Sequence, residues 1–257
     1  MWKLFSILSF LALAQSCRVI EQKANGVEQL DRDANSAHVL LETFVTYDSK
    51  YLCSGVLISA DYVMTTRSCV FGSLFVNVHV YPYKLRDSFE SNREIYRATE
   101  ITFNSEFDGL THLNDVALLK LPVTLKISER PYNFAQLPEV APTAGITGKT
   151  IGWGLLNFKD DNAASIKHEQ SMVLLAEPFC RMMYPGIWAS ETTQGRGCVM
   201  KPAGTNCVGD SGAPFMVGNV LQGLLSFGQE QACEENDFPN GIQVVFDHLP
   251  WIHSVID

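Results

Sequence analysis

The sequence has few positive charges, a single long apolar run and no Asn-x-Ser/Thr sequon. Its 257 residues contain 19 Lys and Arg against 28 Asp and Glu, which gives a net charge of −9. This acidic balance disfavours nucleic acid and anionic membranes as partners, because both are negatively charged. The missing sequon means that N-glycosylation is not predicted.

Zinc-site spacings, internal repeats, low-complexity linkers and long helical patterns are also missing. Because no CxxC pair or Cys/His cluster has metal-ligand spacing, no metal or cofactor is predicted. The chain length suits one large all-β domain or two small ones. With 46% hydrophobic residues, such a chain can bury a substantial core.

The one long apolar run lies at the N-terminus and predicts a secretory signal peptide over residues 1–16. Met1-Trp2-Lys3 is a short basic region, and Leu4 to Ala14 is apolar. A run of about 11 apolar residues is too short for a bilayer, which takes about 20. Cleavage is expected after Ser16, with Ala14 as the second choice, and the mature protein is expected to be soluble and extracellular.

Seven cysteines in a secreted chain predict three disulfides and one cysteine left over. Cys17 is the odd one, at the predicted mature N-terminus. It could pair with another chain, be modified, leave with a short N-terminal peptide, or stay untethered.

Short segments rich in β-branched and aromatic residues alternate with turn-rich segments and predict strands. They are Val39–Thr46, Leu52–Ser59, Phe75–Val80, Val116–Leu121, Lys149–Trp153, Ser171–Leu175, Pro214–Val217, Leu221–Phe227 and Ile242–Phe246. Many short strands favour a sandwich or a barrel. Apolar residues at helical spacing predict a short helix over Asp247–Ile256.

Six motifs accompany the most informative one, Gly209-Asp210-Ser211-Gly212-Ala213-Pro214. They are Cys53–Ser59, Thr65–Cys69, Asn114–Leu119, Gly152-Trp153-Gly154, Ser226-Phe227-Gly228 and Pro250-Trp251-Ile252. In this order the motifs resemble the chymotrypsin/trypsin family of serine proteases (peptidase family S1). The resemblance implies two six-stranded antiparallel β-barrels with a cleft between them. It places the first barrel at about 19–130, the second at about 131–246 and a C-terminal helix at about 247–257.

The resemblance also implies roles for individual residues. Ser211 matches the nucleophile, Asp115 the aspartate that orients a histidine, and Asp210 the partner of a newly cut N-terminus. The amides of Gly209 and Ser211 match the oxyanion hole. Substrate-pocket positions are Thr205, Ser226, Phe227 and Gly228, and the implied disulfides are Cys53–Cys69, Cys180–Cys198 and Cys207–Cys233.

The chain departs from the family pattern at the position of the general base, where Ser68 stands in the histidine slot. A serine hydroxyl does not accept a proton near pH 7, so the triad is degenerate. A structural role is expected for Asp115, with the Ser68 and Ser226 hydroxyls as donors or with Arg67 as a counter-charge.

Two further departures concern specificity and activation. Thr205 at the pocket base offers nothing to attract Arg or Lys. The maturation site is reduced to Arg18 followed by Val19-Ile20-Glu21-Gln22, without the family's two glycines. Among the histidines, His112 is predicted to lie on the surface of a loop, and His79 on a strand face that points away from the core.

The resulting hypothesis is a secreted serine protease homologue that is proteolytically inactive and binds extracellular proteins in a protease cascade. Expected partners are proteases, protease inhibitors or cascade components. The alternative is a serine endopeptidase with weak or substrate-assisted activity, in which a substrate histidine supplies the base. A third hypothesis is a decoy that traps protease inhibitors without turnover.

Overall fold

The computed structural model describes residues 27–29, 36–85, 87, 89–126, 129–154, 166–188, 195–202, 210–228 and 238–257. The predicted signal peptide, Cys17, the Arg18–Val19 bond, Thr205, Gly209 and the Cys207–Cys233 pair lie outside these residues. Strands dominate the described part of the chain, and a short helix ends it, as the sequence predicts.

The strands form two antiparallel sheets. In chain order they are β1 (Val27–Gln29), β2 (His38–Phe44), β3 (Lys50–Leu57), β4 (Tyr62–Thr65), β5 (Phe75–Val80), β6 (Glu94–Arg97), β7 (Glu100–Phe103), β8 (Ala117–Lys120), β9 (Thr147–Gly152), β10 (His168–Leu174), β11 (Arg196–Met200), β12 (Pro214–Val217), β13 (Val220–Phe227) and β14 (Asn240–Val244). Strands β2 to β8 make the first sheet, and the others make the second.

The second sheet closes into a six-stranded barrel, because β10 pairs with both β9 and β11. Strand β1 pairs with the first half of β10 as a seventh strand. The first sheet is a half-barrel with the strand order β6-β5-β2-β3-β4-β8-β7. The predicted barrel architecture is therefore confirmed, with one barrel closed and the other open between its end strands.

Apolar side chains at alternate strand positions build the core, as the period of a half-buried strand requires. In the first sheet Val76 and Val78 of β5 are fully buried against Val39 and Leu41 of β2. Another buried cluster joins the two sheets and holds the cleft walls together; it includes Val56, Met64, Val116, Leu118, Leu221, Leu224 and Ile252.

Helices and disulfides complete the frame. Helix α1 (Glu177–Met183) is tied to β11 by the Cys180–Cys198 disulfide, and Cys53–Cys69 ties β3 to the turn after β4. Two of the three predicted bridges are thus confirmed. A 3-10 turn (Val245–His248) leads into α2 (Leu249–Ile256), whose Ile252 is buried between the sheets. No helix in the described ranges is long and apolar enough to span a membrane.

Candidate active site

Asp115 is a fully buried carboxylate just before β8. Its Oδ1 accepts from the Ser68 backbone N–H at 2.7 Å. Its Oδ2 accepts from the hydroxyls of Ser68 at 2.9 Å and Ser226 at 2.6 Å. A buried carboxylate is tolerated only when hydrogen-bonded in this way, so these donors account for its burial. The expected Ser68 and Ser226 donors are confirmed.

Ser68 lies on a helical turn that the Cys53–Cys69 disulfide anchors. Its side chain is exposed, and its hydroxyl donates to Asp115. The alternative of Arg67 as a counter-charge is wrong, because its guanidinium stacks on three phenylalanine rings instead. The proton of the Ser68 hydroxyl is thus committed to Asp115, and the residue cannot act as a base.

Ser211 occupies a tight turn at the mouth of the cleft. The Ala213 N–H donates to the Asp210 carbonyl at 2.9 Å, and the Ser54 N–H donates to the Ser211 carbonyl at 2.8 Å. The Ser211 side chain is exposed, and no described residue hydrogen-bonds its hydroxyl. Within the described chain, no base therefore hydrogen-bonds the Ser211 hydroxyl to take the proton that an attacking serine must lose.

Gly212 makes this turn possible. Its φ of 80° lies in the left-handed region. A Cβ atom at this position would overlap the Ser54 carbonyl oxygen and the Thr65 hydroxyl. The turn therefore packs directly on β3 and β4 of the first sheet, which fixes Ser211 against the barrel that carries Ser68.

Asp210 is half-buried, and its carboxylate lies against Gly152 at the end of β9. It accepts from the backbone N–H groups of Trp153 and Gly154 and from the Ser54 hydroxyl. Burial raises the pKa of Asp210, and these hydrogen bonds oppose the shift. Ser54 is also 2.8 Å from Nε2 of His38, a histidine whose pKa is lowered by burial and by Lys167. Within the described residues, Asp210 thus has three hydrogen-bond donors.

A cavity of about 260 Å³ opens beside Ser211. Its lining residues are His112, Ser211, Leu225, Ser226, Phe227, Gly228 and Asn240. Three of the four predicted pocket residues, Ser226, Phe227 and Gly228, therefore meet next to Ser211. Asn240 and His112 were not predicted there, because neither belongs to a motif that indicates a pocket.

His112 lies on a loop, as predicted, but the prediction that it lies on the surface is wrong. The ring is half-buried and stacks on Phe227, with ring centroids 5.2 Å apart. Its backbone has a φ of 53°, and its carbonyl accepts from the Gln243 amide at 2.8 Å. These contacts make His112 part of the cleft wall.

His79 lies on the face of β5 opposite the core residues Val78 and Val80, as predicted, but it is covered there. It is 1% exposed, and its Nε2 lies 3.1 Å from Glu42. The nearby Glu42 carboxylate offsets part of the cost of this burial. Apart from His112, no described histidine lines the cavity beside Ser211.

A protein-family model described as Trypsin matches residues 32–252 of the chain. The chain belongs to the trypsin family. It is 29% identical over 208 residues to the venom plasminogen activator Haly-PA of Gloydius brevicauda, covering 81% of this chain and 79% of that protein. It is 29% identical over 216 residues to the thrombin-like enzyme leucurobin of Bothrops leucurus, covering 83% and 89% respectively.

A match among solved structures supports the trypsin-family fold. The structure of GrC superposes with a TM-score of 0.77 at 19% identity, covering 90% of this chain and 98% of that chain. Brachyurin of Leptuca pugilator is 26% identical over 208 residues, covering 80% of this chain and 88% of that protein. The scaffold is therefore that of a serine protease.

On this trypsin-family scaffold, the described cleft has a cavity beside Ser211 and no described base that is hydrogen-bonded to the Ser211 hydroxyl. In the described ranges, no group of three or more His, Cys, Asp and Glu residues could hold a metal ion. The cavity beside Ser211 is lined by hydroxyl, amide, imidazole and aromatic groups, which recognise a ligand by hydrogen bonding and stacking.

Proposed function

We propose that this trypsin-family protein is a secreted, proteolytically inactive homologue that binds extracellular proteins through its protease surface. One observation carries the proposal: Ser68 fills the histidine position and hydrogen-bonds Asp115, which leaves the Ser211 hydroxyl without a base. Loss of the triad base costs on the order of a millionfold in turnover, and serine proteases are themselves the systems in which this was measured. That factor is about 8 kcal/mol of activation barrier.

Secretion is supported by the N-terminal apolar run and by the two disulfides in the described chain. Disulfides persist in oxidising compartments and are rare in the cytosol. Two of the similar proteins are, by their names, a venom plasminogen activator and a thrombin-like enzyme. From this similarity we infer a role in an extracellular protease cascade, with proteases or their inhibitors as partners.

An alternative function is a weak or substrate-assisted endopeptidase. The open cavity beside an exposed Ser211 favours it, because a peptide side chain carrying an imidazole could enter there. Such an enzyme would cleave only peptides with histidine near the scissile bond.

Turnover of a diverse peptide library by the secreted protein separates the two functions. The proposal expects no cleavage above that of a Ser211→Ala variant. Cleavage that Ser211→Ala abolishes would establish the alternative, and Ser68→His should then raise that rate by several orders of magnitude.

A further inference from the structure

Arg67 and three phenylalanines form a cluster beside Ser68 that the proposed function leaves unused. We define the Arg67 cluster as Arg67, Phe71, Phe103 and Phe107. The guanidinium carbon lies 4.4 Å from the ring centroid of Phe71, 4.9 Å from that of Phe103 and 4.3 Å from that of Phe107. These distances are those of cation–π contacts, so the rings hold the cation in place.

The fold makes the Arg67 cluster rigid. Arg67 and Phe71 are four residues apart on the helical turn, where the Phe71 N–H donates to the Arg67 carbonyl at 2.8 Å. Phe103 ends β7, and the Cys53–Cys69 disulfide anchors the turn. A side chain held in this way loses little further conformational freedom when it binds a ligand.

The charge of Arg67 has no counter-charge among the described residues. Of its three nitrogens only Nε is both buried and without a partner, so the two terminal nitrogens reach the surface. Asp108, which follows Phe107 in the sequence, makes no ion pair with Arg67; its carboxylate accepts from the Leu110 N–H at 2.9 Å and the Thr111 hydroxyl at 2.8 Å. The cluster thus presents the open edge of a guanidinium.

Two of the rings in the Arg67 cluster are exposed. Phe71 is 59% exposed and Phe103 is 39% exposed, and their ring centroids are 6.2 Å apart. Adjacent large apolar groups at the surface mark interaction sites more often than single ones do. A ligand for this surface needs an anion for Arg67 and apolar groups for its surroundings.

We propose that the Arg67 cluster docks a partner-protein segment in which an Asp or Glu carboxylate is flanked by apolar side chains. The proposal rests on the proposed function, for which it supplies the partner-facing surface. A carboxylate matches the planar guanidinium through paired hydrogen bonds, and apolar neighbours would cover the phenylalanines. A sulfated polysaccharide fits less well, because one arginine stands alone in an apolar setting on a chain of charge −9.

Selection of a displayed random-peptide library on the wild-type protein tests this docking site. Selected peptides should carry an acidic residue between apolar ones. The best peptide, synthesised, should bind Arg67→Gln about tenfold or more weakly, which is the loss expected for a charged hydrogen-bonded pair. Arg67→Lys keeps the charge without the planar fork, so its affinity should fall between the two.

A matched control is Arg97→Gln, since Arg97 is exposed and stacks on Phe75 at 3.8 Å in the same sheet. It should change affinity less than about threefold, as a charge outside the contact does. A second peptide, in which Gln replaces the acidic residue, should bind the wild-type protein more weakly by the same factor. This peptide variant provides the test if Arg67→Gln does not fold.

Four results would overturn the docking site: peptides without acidic residues, equal binding by folded Arg67→Gln, heparin binding that depends on Arg67, or self-association that Arg67→Gln abolishes. None of them bears on Ser211. Conversely, cleavage that Ser211→Ala abolishes would end the proposed function and leave the peptide result standing, so the two failures are distinguishable.

Discussion

At the scale of single residues, Ser68 preserves the hydrogen bonding of Asp115 but does not supply a general base. Its N–H and hydroxyl supply two of the three hydrogen bonds that Asp115 receives. Asp115 therefore stays buried at little cost although no histidine is present. A sequence that retains Ser211 and Asp115 can thus belong to an active or to an inactive protein, and the residue at position 68 decides between the two.

The first prediction compares how substitution of Ser68 and of Asp115 changes the free energy of unfolding. Ser68→Ala removes one hydrogen bond and should lower the free energy of unfolding by about 1 kcal/mol. Asp115→Ala should cost more, about 1–3 kcal/mol, because the buried Ser226 hydroxyl loses its acceptor. Urea unfolding measures both, with Ser105→Ala as control, because Ser105 is exposed and its hydroxyl has no hydrogen-bond partner among the described residues. Equal losses for Ser68→Ala and Asp115→Ala would contradict the described hydrogen bonding.

At the scale of elements, the Asp210–Ala213 turn joins the two sheets at the cleft. The Gly212 N–H donates to the Leu225 carbonyl of β13 at 2.8 Å, and its Cα faces Ser54 of β3. The turn therefore leaves no room for a side chain at position 212, whatever that side chain would contribute chemically.

The second prediction separates this crowding from backbone strain. Gly212 and Gly145 both have positive φ, 80° and 91°, but nothing lies within 4 Å of a Cβ atom built at Gly145. Gly145→Ala should cost about 1 kcal/mol, and Gly212→Ala should cost several kcal/mol more, since it also overlaps Ser54. Thermal unfolding of both variants checks this, and equal shifts in melting temperature would refute the packing of the turn.

The sequence predicts those strands best that alternate strongly and lie between clear turns. Phe75–Val80 and Pro214–Val217 have the same bounds in prediction and structure. The missed strands are β1, β4, β6, β7 and β11. Each has five residues or fewer, so its period of two is weakly marked, whereas the equally short β8 and β12 adjoin motifs. Helix α1 was missed because its seven residues are also too few for a helical pattern.

Site residues were predictable where a motif fixes them and unpredictable where packing does. The donors to Asp115 and the Cys53–Cys69 bridge follow from the motifs. The position of His112 depends on its left-handed backbone and on the buried Gln243, which is remote in the chain. The burial of His79 depends on Glu42 of the neighbouring strand. Pairwise contacts of this kind leave no local sequence signal.

At the scale of the whole molecule, stability should depend on pH through buried histidines. Burial lowers the pKa of His38, and it does the same for His79, His168 and His248. A histidine held neutral in the fold binds more protons when the chain unfolds. Stability from these groups is therefore present above pH 6.5, the ordinary value, and is lost as the pH falls below it.

The third prediction isolates His38, whose pKa is lowered by its complete burial and by Lys167. Wild-type stability should fall between about pH 6.5 and about pH 5.5, by up to roughly 1.4 kcal/mol for His38 alone. His38→Asn should reduce this loss by about that amount. Urea midpoints at both pH values measure the effect. The exposed His253→Asn serves as control, and an unchanged pH dependence in His38→Asn would contradict a neutral buried imidazole.

The fourth prediction concerns how the second barrel holds the cleft loop of the first. The Gln243 amide donates to the His112 carbonyl at 2.8 Å, and Arg196 donates to the Thr111 carbonyl at 2.9 Å. Gln243→Leu should raise amide hydrogen exchange in residues 108–113 by about tenfold through the lost hydrogen bond. The β5 amides act as an internal control. Exchange that rises equally in β5 would show global destabilisation instead.

Labelling of Ser211 by a fluorophosphonate probe tests proteolytic inactivity most directly, because the probe reacts only with a serine that a base activates. The second-order rate constant is measured for the secreted wild-type protein and for Ser68→His, with Ser211→Ala as the blank. With Ser68 at the base position, wild-type labelling should stay at the Ser211→Ala level. Labelling of wild-type Ser211 at a rate typical of an active serine protease would contradict the proposed function.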